Sequence, residues 1–435
     1  MIERSPFESA FALHAAGALA DAEVAYRRIL ADCPRHAEAQ HYLGVLRHQR
    51  GDTAEGIALI LSALETEPAS ASRYNDLGNI LVQTGDLANA ATAFQTSVQQ
   101  NGDDANVWNN LGSVLHRQRD YAGAENAYCN ALRCLADFAP ALNNLAALLT
   151  ETGREEESSV YACRAFVLPP LAGKPPKMLG IAYYRLGRIA EAAECYREWV
   201  RVEPDNAVAR HHLAACSGEE VPARASNGFL TTVFDEMAEG FDEKLVAKLS
   251  YRGPAIVADL LDVTLAADGA LDVLDGGCGT GLCGPVLAPY ARRLTGVDLS
   301  PGMLAKARER QLYDALVEAE LTGYLRAAKQ EFDLIVMADT LIYFGELTLL
   351  FAAVGQALRP AGVFAFTIEV AAESAQGDVD YCLGPSGRYG HSGRYLAWAL
   401  AEAGFVLLRS DDVVLRGEFC SPTQGMGVLA RLLLR

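Results

Sequence analysis

The chain of 435 residues is long enough for two or three folded domains, and with 51% hydrophobic and 21% charged residues it is too apolar to be disordered throughout. Its formal net charge is −18 at pH 7 and both halves are acidic, which argues against nucleic acid or an anionic membrane as the main partner, because both bind clustered Lys and Arg. The ten cysteines include no CxxC pair, and no apolar run reaches the roughly 18 residues of a membrane span. We therefore expect a cytoplasmic protein with reduced thiols and without a metal site.

A period of 34 residues runs through the first half of the chain. Glycines recur at one position of this period, with Arg119 as the exception: Gly17, Gly51, Gly85, Gly153 and Gly187. Prolines, alanines, aromatic residues and Leu-Gly pairs recur at other positions. These landmarks resemble the tetratricopeptide repeat, and six units fill residues 3 to about 206, with a further helix over 207–216 as a cap. The resemblance implies antiparallel helix pairs that bury their apolar faces only by stacking into a solenoid.

A row of asparagines suggests what this solenoid does. Asn75, Asn109 and Asn143 occupy the same repeat position in three successive units, on the first helix of each unit. The row resembles the asparagine ladder with which O-GlcNAc transferases hold a peptide backbone, since carboxamides both donate and accept hydrogen bonds. The resemblance implies a peptide or protein in the groove. The alternative is that these side chains bond neighbouring repeats or face water.

Polar and turn-forming residues from Ser217 to Pro222 break the period, so we predict repeats over 1–217, a linker over 218–225 and a second domain over 226–435. In the second domain short apolar runs alternate with helical stretches, which predicts an α/β fold with a mostly parallel sheet. The predicted strands are 271–274, 294–297, 316–318, 334–337 and 363–368, with a terminal antiparallel pair at 413–415 and 428–433. The predicted helices between and after them are 282–291, 303–310, 347–358 and 394–404.

The first of these strands runs into Asp275 and a glycine-rich turn, DGGCGTG, and the next strand ends at Asp298, 17 residues after Gly281. Glycines let a ligand approach the backbone closely. A carboxylate at the end of the second strand can hold both ribose hydroxyls of an adenosine. An acidic residue before the glycines attracts a cationic amino group and repels a pyrophosphate, which disfavours a nicotinamide or flavin enzyme.

The run DGGCGTG, followed by VDLSPGML, resembles class I S-adenosylmethionine-dependent methyltransferases, and the resemblance covers residues 226–435. It implies a Rossmann-like domain that uses S-adenosylmethionine and releases S-adenosylhomocysteine. The cofactor-binding residues that it implies are Asp275, Gly276, Gly277, Cys278, Gly279, Gly281, Asp298, Leu299, Met303, Glu320 and Asp339. More narrowly, segments 234–251, 339–345 and 387–392 resemble a bacterial group of methyltransferases fused to tetratricopeptide repeats. Cys278 is expected to pack, not to act as a nucleophile.

Methyl transfer depends on alignment of acceptor, methyl and sulfur, and needs a base when the acceptor carries a proton. His391, in a glycine-rich insertion after the fifth strand, is the candidate base, or equally a histidine that orders a lid. Asp339 and Tyr343 are alternatives on the floor of the pocket. Arg388 and Tyr389 are candidate substrate-binding residues. His211-His212 is expected to be part of the capping helix only.

The sequence thus predicts a methyltransferase whose repeats recruit its substrate, a peptide or protein. One alternative is a methyltransferase of small molecules whose repeats mediate dimerisation or docking to a partner. Another is a non-enzymatic adaptor with a vestigial methyltransferase fold. The carboxylates at both ends of the glycine-rich turn argue against the adaptor, because a dead site has no reason to keep them.

Overall fold

The computed structural model describes residues 5–243, 245, 249–371, 379–418 and 421–434. The chain divides into two compact units, Met1–Ala172 and Gly173–Arg435. The division lies within the repeat region, so that the helices of the last repeat belong to the same compact unit as the α/β fold. No helix in the described ranges is both long enough and apolar enough to cross a membrane.

The first unit consists of ten helices arranged as five antiparallel pairs. They are α1 Pro6–Ala15, α2 Leu19–Asp32, α3 Ala37–Gln49, α4 Thr53–Thr66, α5 Ala71–Thr84, α6 Leu87–Gln100, α7 Ala105–Arg117, α8 Tyr121–Cys134, α9 Ala139–Glu151 and α10 Glu155–Phe166. The turn inside each pair requires a left-handed backbone, which glycine adopts without strain. Gly51 has φ +98° and Gly85 has φ +83°, and Arg119 holds φ +66° at the same repeat position.

A second repeat position holds each pair together by close approach. A Cβ atom on Gly112 of α7 would lie 2.6 Å from the Tyr128 ring of α8, so only glycine lets this buried ring pack against the helix backbone. Gly78 and Phe94 make the same contact one repeat earlier. The recurring Leu-Gly and aromatic positions of the sequence are thus two sides of one contact.

The second unit begins with the last repeat and continues into the α/β fold. Its helices are α11 Pro176–Arg185, α12 Ile189–Val202, α13 Ala207–Ser217, α14 Asn227–Met237, α15 Gly253–Leu261, α16 Gly284–Leu287, α17 Pro301–Glu309, α18 Leu321–Ala327, α19 Thr348–Ala357 and α20 Gly393–Glu402. Its strands are β1 Leu271–Gly276, β2 Ala291–Asp298, β3 Ala315–Glu318, β4 Phe332–Met337, β5 Leu358–Val370, β6 Tyr381–Leu383, β7 Tyr389–His391, β8 Phe405–Glu418 and β9 Ser421–Leu432.

The nine strands form one sheet, with the order β3-β2-β1-β4-β5-β7-β6. Strands β1 to β5 are parallel, β9 runs antiparallel along β5, and β8 runs antiparallel along β9. Apolar side chains of both faces are buried against the helices, as in a doubly wound α/β fold. The carboxyl ends of β1, β2 and β4 therefore meet at one edge of the sheet.

The predicted fold class is confirmed, and so are the five parallel strands and the terminal antiparallel pair. The helix predicted over 282–291 is wrong over most of its length, because α16 has only four residues and Ala291 already pairs with Leu271 at the start of β2. The insertion after β5 contains a short antiparallel hairpin, β6–β7, that the sequence analysis did not predict.

Candidate active site

A cavity of about 330 Å³ opens at the carboxyl edge of the sheet. The ends of β1, β2 and β4 form its floor, and α13, α14 and the turn 386–388 form its other walls. Of the predicted site residues, these line it: Asp275, Gly277, Cys278, Gly279, Asp298, Leu299, Met303, Glu320, Asp339, Tyr343 and Arg388. Residues from six separate elements thus meet at one place, although they lie more than 100 positions apart in the chain.

The glycine-rich turn leaves room for a ligand. Gly277 and Gly279 have φ angles of +76° and +54°, which β-carbons disfavour. A Cβ atom on Gly279 would meet no atom within 4 Å, so a side chain there would fill the cavity. A Cβ atom on Gly277 would lie 2.4 Å from Thr340 Oγ1, which keeps the turn against the end of β4. A side chain at Gly279 would take up space in the cavity, and one at Gly277 would clash with Thr340. We call this turn the glycine cradle.

Asp298, at the end of β2, holds this cradle in place. Its carboxylate accepts hydrogen bonds from the amides of Gly279 and Ser300, each at 2.9 Å. Burial raises the pKa of Asp298, although these amide donors act to lower it. A carboxylate oxygen accepts more than one hydrogen bond, so the side chain can still bind a pair of hydroxyl groups in the cavity.

Asp275, at the end of β1, is the second carboxylate of the cavity. It is 2% exposed, and its Oδ2 atom accepts a hydrogen bond of 2.6 Å from the Tyr313 hydroxyl. Burial raises the pKa of Asp275 to about 7. A cationic group in the cavity would therefore draw a proton off this carboxyl near neutral pH, because the ionised form would gain a partner.

We expect this coupling to make cofactor affinity depend on pH. If the ligand ammonium pairs with Asp275, the affinity for S-adenosylhomocysteine should rise roughly tenfold between pH 5.5 and pH 7, because below pH 7 binding must expel a proton from the carboxyl. The α-amino group of the ligand stays protonated over that range. Calorimetry at the two pH values measures the effect, and Asp275→Asn is the control that should abolish it. Equal affinities for the natural chain at both pH values would contradict the pairing.

Glu320 and Cys278 serve local structure as well as lining the cavity. Glu320 caps α18, where it accepts hydrogen bonds from the amides of Thr322 and Gly323 at 3.0 and 2.7 Å. Burial acts to raise the pKa of Glu320, but these amide donors outweigh it and the pKa is lowered. Burial raises the pKa of the Cys278 thiol, so the thiol stays protonated and packs, in line with the sequence analysis.

Asp339 is fixed at the floor of the cavity by a buried cation. Both of its oxygens accept from Arg416 Nη1, at 2.9 and 2.8 Å, and Arg416 is 3% exposed. Arg416 also contacts Glu369, whose Oε1 atom accepts from Arg388 Nε at 2.8 Å. Two arginines and two carboxylates thus form one chain across the floor. Burial raises the pKa of Tyr343, beside this chain, to about 12, so its hydroxyl stays protonated at neutral pH.

The sequence analysis did not single out Arg416 or Glu369. The one signal for Arg416 was its position directly after the apolar run Val413-Val414-Leu415, because an arginine that continues a buried strand needs partners. Its partners could not be named before the sheet order was known, since β4, β5 and β8 are far apart in sequence.

The structure does not bring His391 to the cavity. His391 lies on β7, is 0% exposed, and its Nε2 atom is 3.2 Å from the carbonyl oxygen of Gly345. Burial lowers the pKa of His391 to about 4. This position does not support a role as base; the other interpretation, a histidine that orders the loop, agrees with it. Tyr389 is also buried, and its hydroxyl donates to the carbonyl of Pro222 at 2.6 Å, so it faces the chain and not a substrate.

Two glycines predicted at the cofactor lie behind the cavity surface. A Cβ atom on Gly276 would lie 3.2 Å from the side chains of Leu321 and Met337, and one on Gly281 would lie 3.0 Å from the Tyr313 ring. Both positions shape the turn through close packing. Their contribution to a ligand site is therefore indirect.

The asparagine row lies in the first unit. Asn109 Oδ1 accepts from Asn144 Nδ2 of the next repeat at 2.9 Å, and Asn110 Nδ2 donates to Asn79 at 3.2 Å. His41, at the same repeat position as Asn75, bonds Asp76 at 2.9 Å. Asn109 therefore joins successive repeats, which is the alternative that the sequence analysis left open, whereas the Oδ1 atom of Asn75 is buried without a hydrogen-bond partner among the described residues. Asn143 is exposed.

Comparison with protein families settles the nature of the two parts. Residues 273–362 match the family model of a methyltransferase domain. Residues 11–71, 75–141 and 177–216 match that of the tetratricopeptide repeat. The chain carries tetratricopeptide repeats, followed in sequence by a methyltransferase domain. The cavity described above lies at the carboxyl edge of the methyltransferase domain, and its glycine cradle lies inside the matched residues.

The individual relatives match a quarter to a third of this chain. Nodulation protein S of Rhizobium tropici is 33% identical over 113 residues, 25% of this chain and 48% of that protein. Malonyl-[acyl-carrier protein] O-methyltransferase of Acetivibrio thermocellus is 32% identical over 137 residues, 31% of this chain and 47% of that protein. This chain thus spans about half the length of these relatives. The crystal structure of an S-adenosylmethionine-dependent methyltransferase from Mesorhizobium loti aligns with a TM-score of 0.33 at 25% identity, over 41% of this chain and 97% of that one.

Proposed function

We propose that the cavity of the methyltransferase domain binds S-adenosylmethionine and that a methyl group is transferred there to an acceptor. The observation that carries the proposal is the pair of carboxylates, Asp275 and Asp298, on either side of a glycine cradle that faces open space at Gly279. Asp298 suits the ribose hydroxyls, and Asp275 suits the ammonium group of the methionine part. The bound cofactor would supply an activated methyl group on a sulfonium.

The residues of this chain act mainly by placement. Asp298 fixes the cradle through the Gly279 amide, and Arg416 fixes Asp339 at the floor. Both oxygens of Asp339 accept hydrogen bonds from Arg416, and the Tyr343 hydroxyl stays protonated at neutral pH. Neither side chain is therefore suited to remove a proton from the acceptor. Alignment of the acceptor with the methyl group is the contribution that this geometry supports.

Replacing Asp298 tests cofactor binding. Asp298→Ala should lower the affinity for S-adenosylhomocysteine by roughly 10- to 150-fold, because a charge-assisted hydrogen bond of about 1.5–3 kcal/mol is lost. Asp314→Ala is the matched control, because it removes another carboxylate that accepts from a backbone amide, that of Leu294 on β2, and it should leave the affinity within about twofold. Calorimetry with the full chain measures both. A chain that binds NAD and neither sulfur compound would refute the proposal and favour a dinucleotide enzyme.

The repeats, on this proposal, recruit the substrate, a peptide or a protein that presents the acceptor. Repeat solenoids expose extended binding surfaces, and one is fused here to a domain with a deep cavity. The relative named malonyl-[acyl-carrier protein] O-methyltransferase acts, by its name, on a group that a protein carries. Protein presentation and a small acceptor in the cavity are therefore compatible.

The compact units provide the test of recruitment. The fragment 173–435 should bind S-adenosylhomocysteine as tightly as the full chain, whereas its kcat/KM on the true substrate should be lower by about tenfold or more, because tethered recruitment raises the local concentration of acceptor. Equal kcat/KM for the two chains would exclude recruitment by residues 1–172. That result would favour the alternative, a methyltransferase of free small molecules, which is also supported by the use of Asn109 in a bond between repeats.

A further inference from the structure

A second part of the cavity lining remains once the glycine cradle, Asp275, Asp298 and Glu320 are assigned to the cofactor. This part, which we call the acceptor wall, is lined mainly by rings: His212 on α13, Phe229 and Phe234 on α14, and Tyr343 after β4. Phe234 and Tyr343 pack edge to face with ring centroids 5.5 Å apart. Flat apolar molecules fit between such surfaces, since aromatic groups gain from both burial and ring contact.

The capping helix α13 supplies part of this wall. Helix α13 packs Ala214 and Ala215 against Leu383 and Tyr389 of the β6–β7 hairpin. The chain that follows α13 is also held, since the amides of Gly345 and Glu346 both donate to the carbonyl of Ala223 at 2.9 Å. The capping helix is therefore built into the same compact unit as the cavity.

His211 anchors the turn that borders the acceptor wall. Its ring stacks on Phe229 with centroids 3.8 Å apart, and its Nε2 atom lies 2.8 Å from the carbonyl oxygen of Gly387. The carbonyl can only accept, so Nε2 carries the hydrogen and donates. Burial lowers the pKa of His211, which keeps this ring neutral. The next residue after this carbonyl is Arg388, whose Nε atom donates to Glu369.

His212, the next residue on α13, lines the cavity itself. Its ring stacks on Tyr196 of α12 at 5.3 Å and meets Phe229 edge to face at 5.8 Å. No hydrogen bond joins its ring nitrogens to another residue in the part of the chain that the structure describes. Burial, with the nearby His211 and Lys177, lowers the pKa of His212 to about 4. A neutral imidazole always has one nitrogen that accepts a hydrogen bond.

We propose that His212 contacts the methyl acceptor, a molecule with an aromatic body and a polar hydrogen that the imidazole accepts, and that His211 is a positioning residue that fixes the Gly387-Arg388 turn beside it. This proposal rests on the proposed function, because it takes the other part of the cavity to hold the cofactor. It makes the capping helix α13 a part of the acceptor site, whereas the sequence analysis gave this helix a capping role alone.

A matched pair of probes tests the hydrogen bond to His212. Phenol and toluene have the same shape, but only phenol has a hydroxyl to donate. On the full chain loaded with S-adenosylhomocysteine, phenol should bind roughly three- to tenfold more tightly than toluene, the range for one hydrogen bond. In His212→Phe, which keeps a ring against Tyr196, that preference should vanish while the affinity for toluene is retained. Ligand-observed NMR titration measures the four affinities.

His211 has its own test, with a rescue. His211→Phe keeps the stacking on Phe229 but loses the donor to Gly387, and should weaken phenol binding about threefold or more with S-adenosylhomocysteine affinity unchanged. His211→Gln retains a donor and should restore phenol binding. An equal loss in both variants would mean a packing role and would overturn the positioning assignment.

The possible outcomes distinguish a failure of this proposal from a failure of the proposed function on which it rests. If the chain does not bind S-adenosylhomocysteine, the proposed function itself fails. If it does, and phenol and toluene bind equally or neither binds, the aromatic acceptor assignment is overturned and the proposed function stands. A preference for phenol that survives in His212→Phe would overturn the assignment of His212.

Discussion

Replacing Arg416 with methionine should lower the free energy of unfolding by about 3–5 kcal/mol, because removing one partner of a buried ion pair leaves an uncompensated charge. Arg416 is 3% exposed and holds both oxygens of Asp339. Glu369 keeps a second cation, Arg388, so Asp339 is the carboxylate that loses its partner. Urea unfolding of the full chain measures this change in the free energy of unfolding, from the transition of the methyltransferase domain.

A matched control lies on the same strand. Arg409 pairs with Asp411 at 2.7 Å, but its side chain is 34% exposed, so Arg409→Met should cost less than about 1 kcal/mol. Adding Asp339→Asn to Arg416→Met should recover part of the loss, because the unpaired charge is then gone. Equal effects of Arg409→Met and Arg416→Met would contradict the importance of the buried chain.

The same ion chain shows what the sequence could and could not predict. Asp275, the glycines and Asp298 lie within 24 residues, and the apolar runs that precede the two carboxylates predict that each ends a strand of a mostly parallel sheet. The structure brings them to one cavity. The chain through Arg388, Glu369, Arg416 and Asp339 depends on β9 inserting beside β5, which carries β8 to the site from the far end of the sequence. No local pattern encodes that pairing.

The predictions for His391 and for His211-His212 show the same limit of sequence analysis. The sequence offers His391 equally as a base and as a histidine that orders a lid, because it lies in a glycine-rich insertion; that segment forms strand β7 and buries its ring. The sequence predicts His211-His212 as part of the capping helix only, because no Cys or acidic residue lies nearby at a ligand spacing, yet α13 packs on the β6–β7 hairpin and His212 lines the cavity. In both cases the deciding element, an unpredicted hairpin of six residues in two strands, is too short to give a clear periodic signal.

Cutting the chain at the boundary that its repeat period indicates should therefore damage the methyltransferase domain. A fragment 222–435 lacks α13 and exposes Tyr389 and Phe229, which are 0% and 4% exposed in the whole chain. Uncovering two or three large apolar side chains costs about 3–5 kcal/mol. For a fragment of this size the melting temperature should fall by roughly 10 °C relative to 173–435, the compact unit that includes the last repeat.

A third fragment, 204–435, separates the helix from the rest of the repeat. It restores α13 together with its capping residue Asn206, whose side chain accepts from the amides of Val208 and Ala209 at 3.0 Å. This fragment should recover most of the melting temperature if cover of the hairpin is the cause, because the contacts of Ala214, Ala215 and His211 return with it. Calorimetric melting of the three fragments gives the comparison. Equal melting temperatures for 222–435 and 173–435 would show that the fold of the methyltransferase domain does not need the last repeat, and the boundary predicted at 226 would then serve as its functional limit as well.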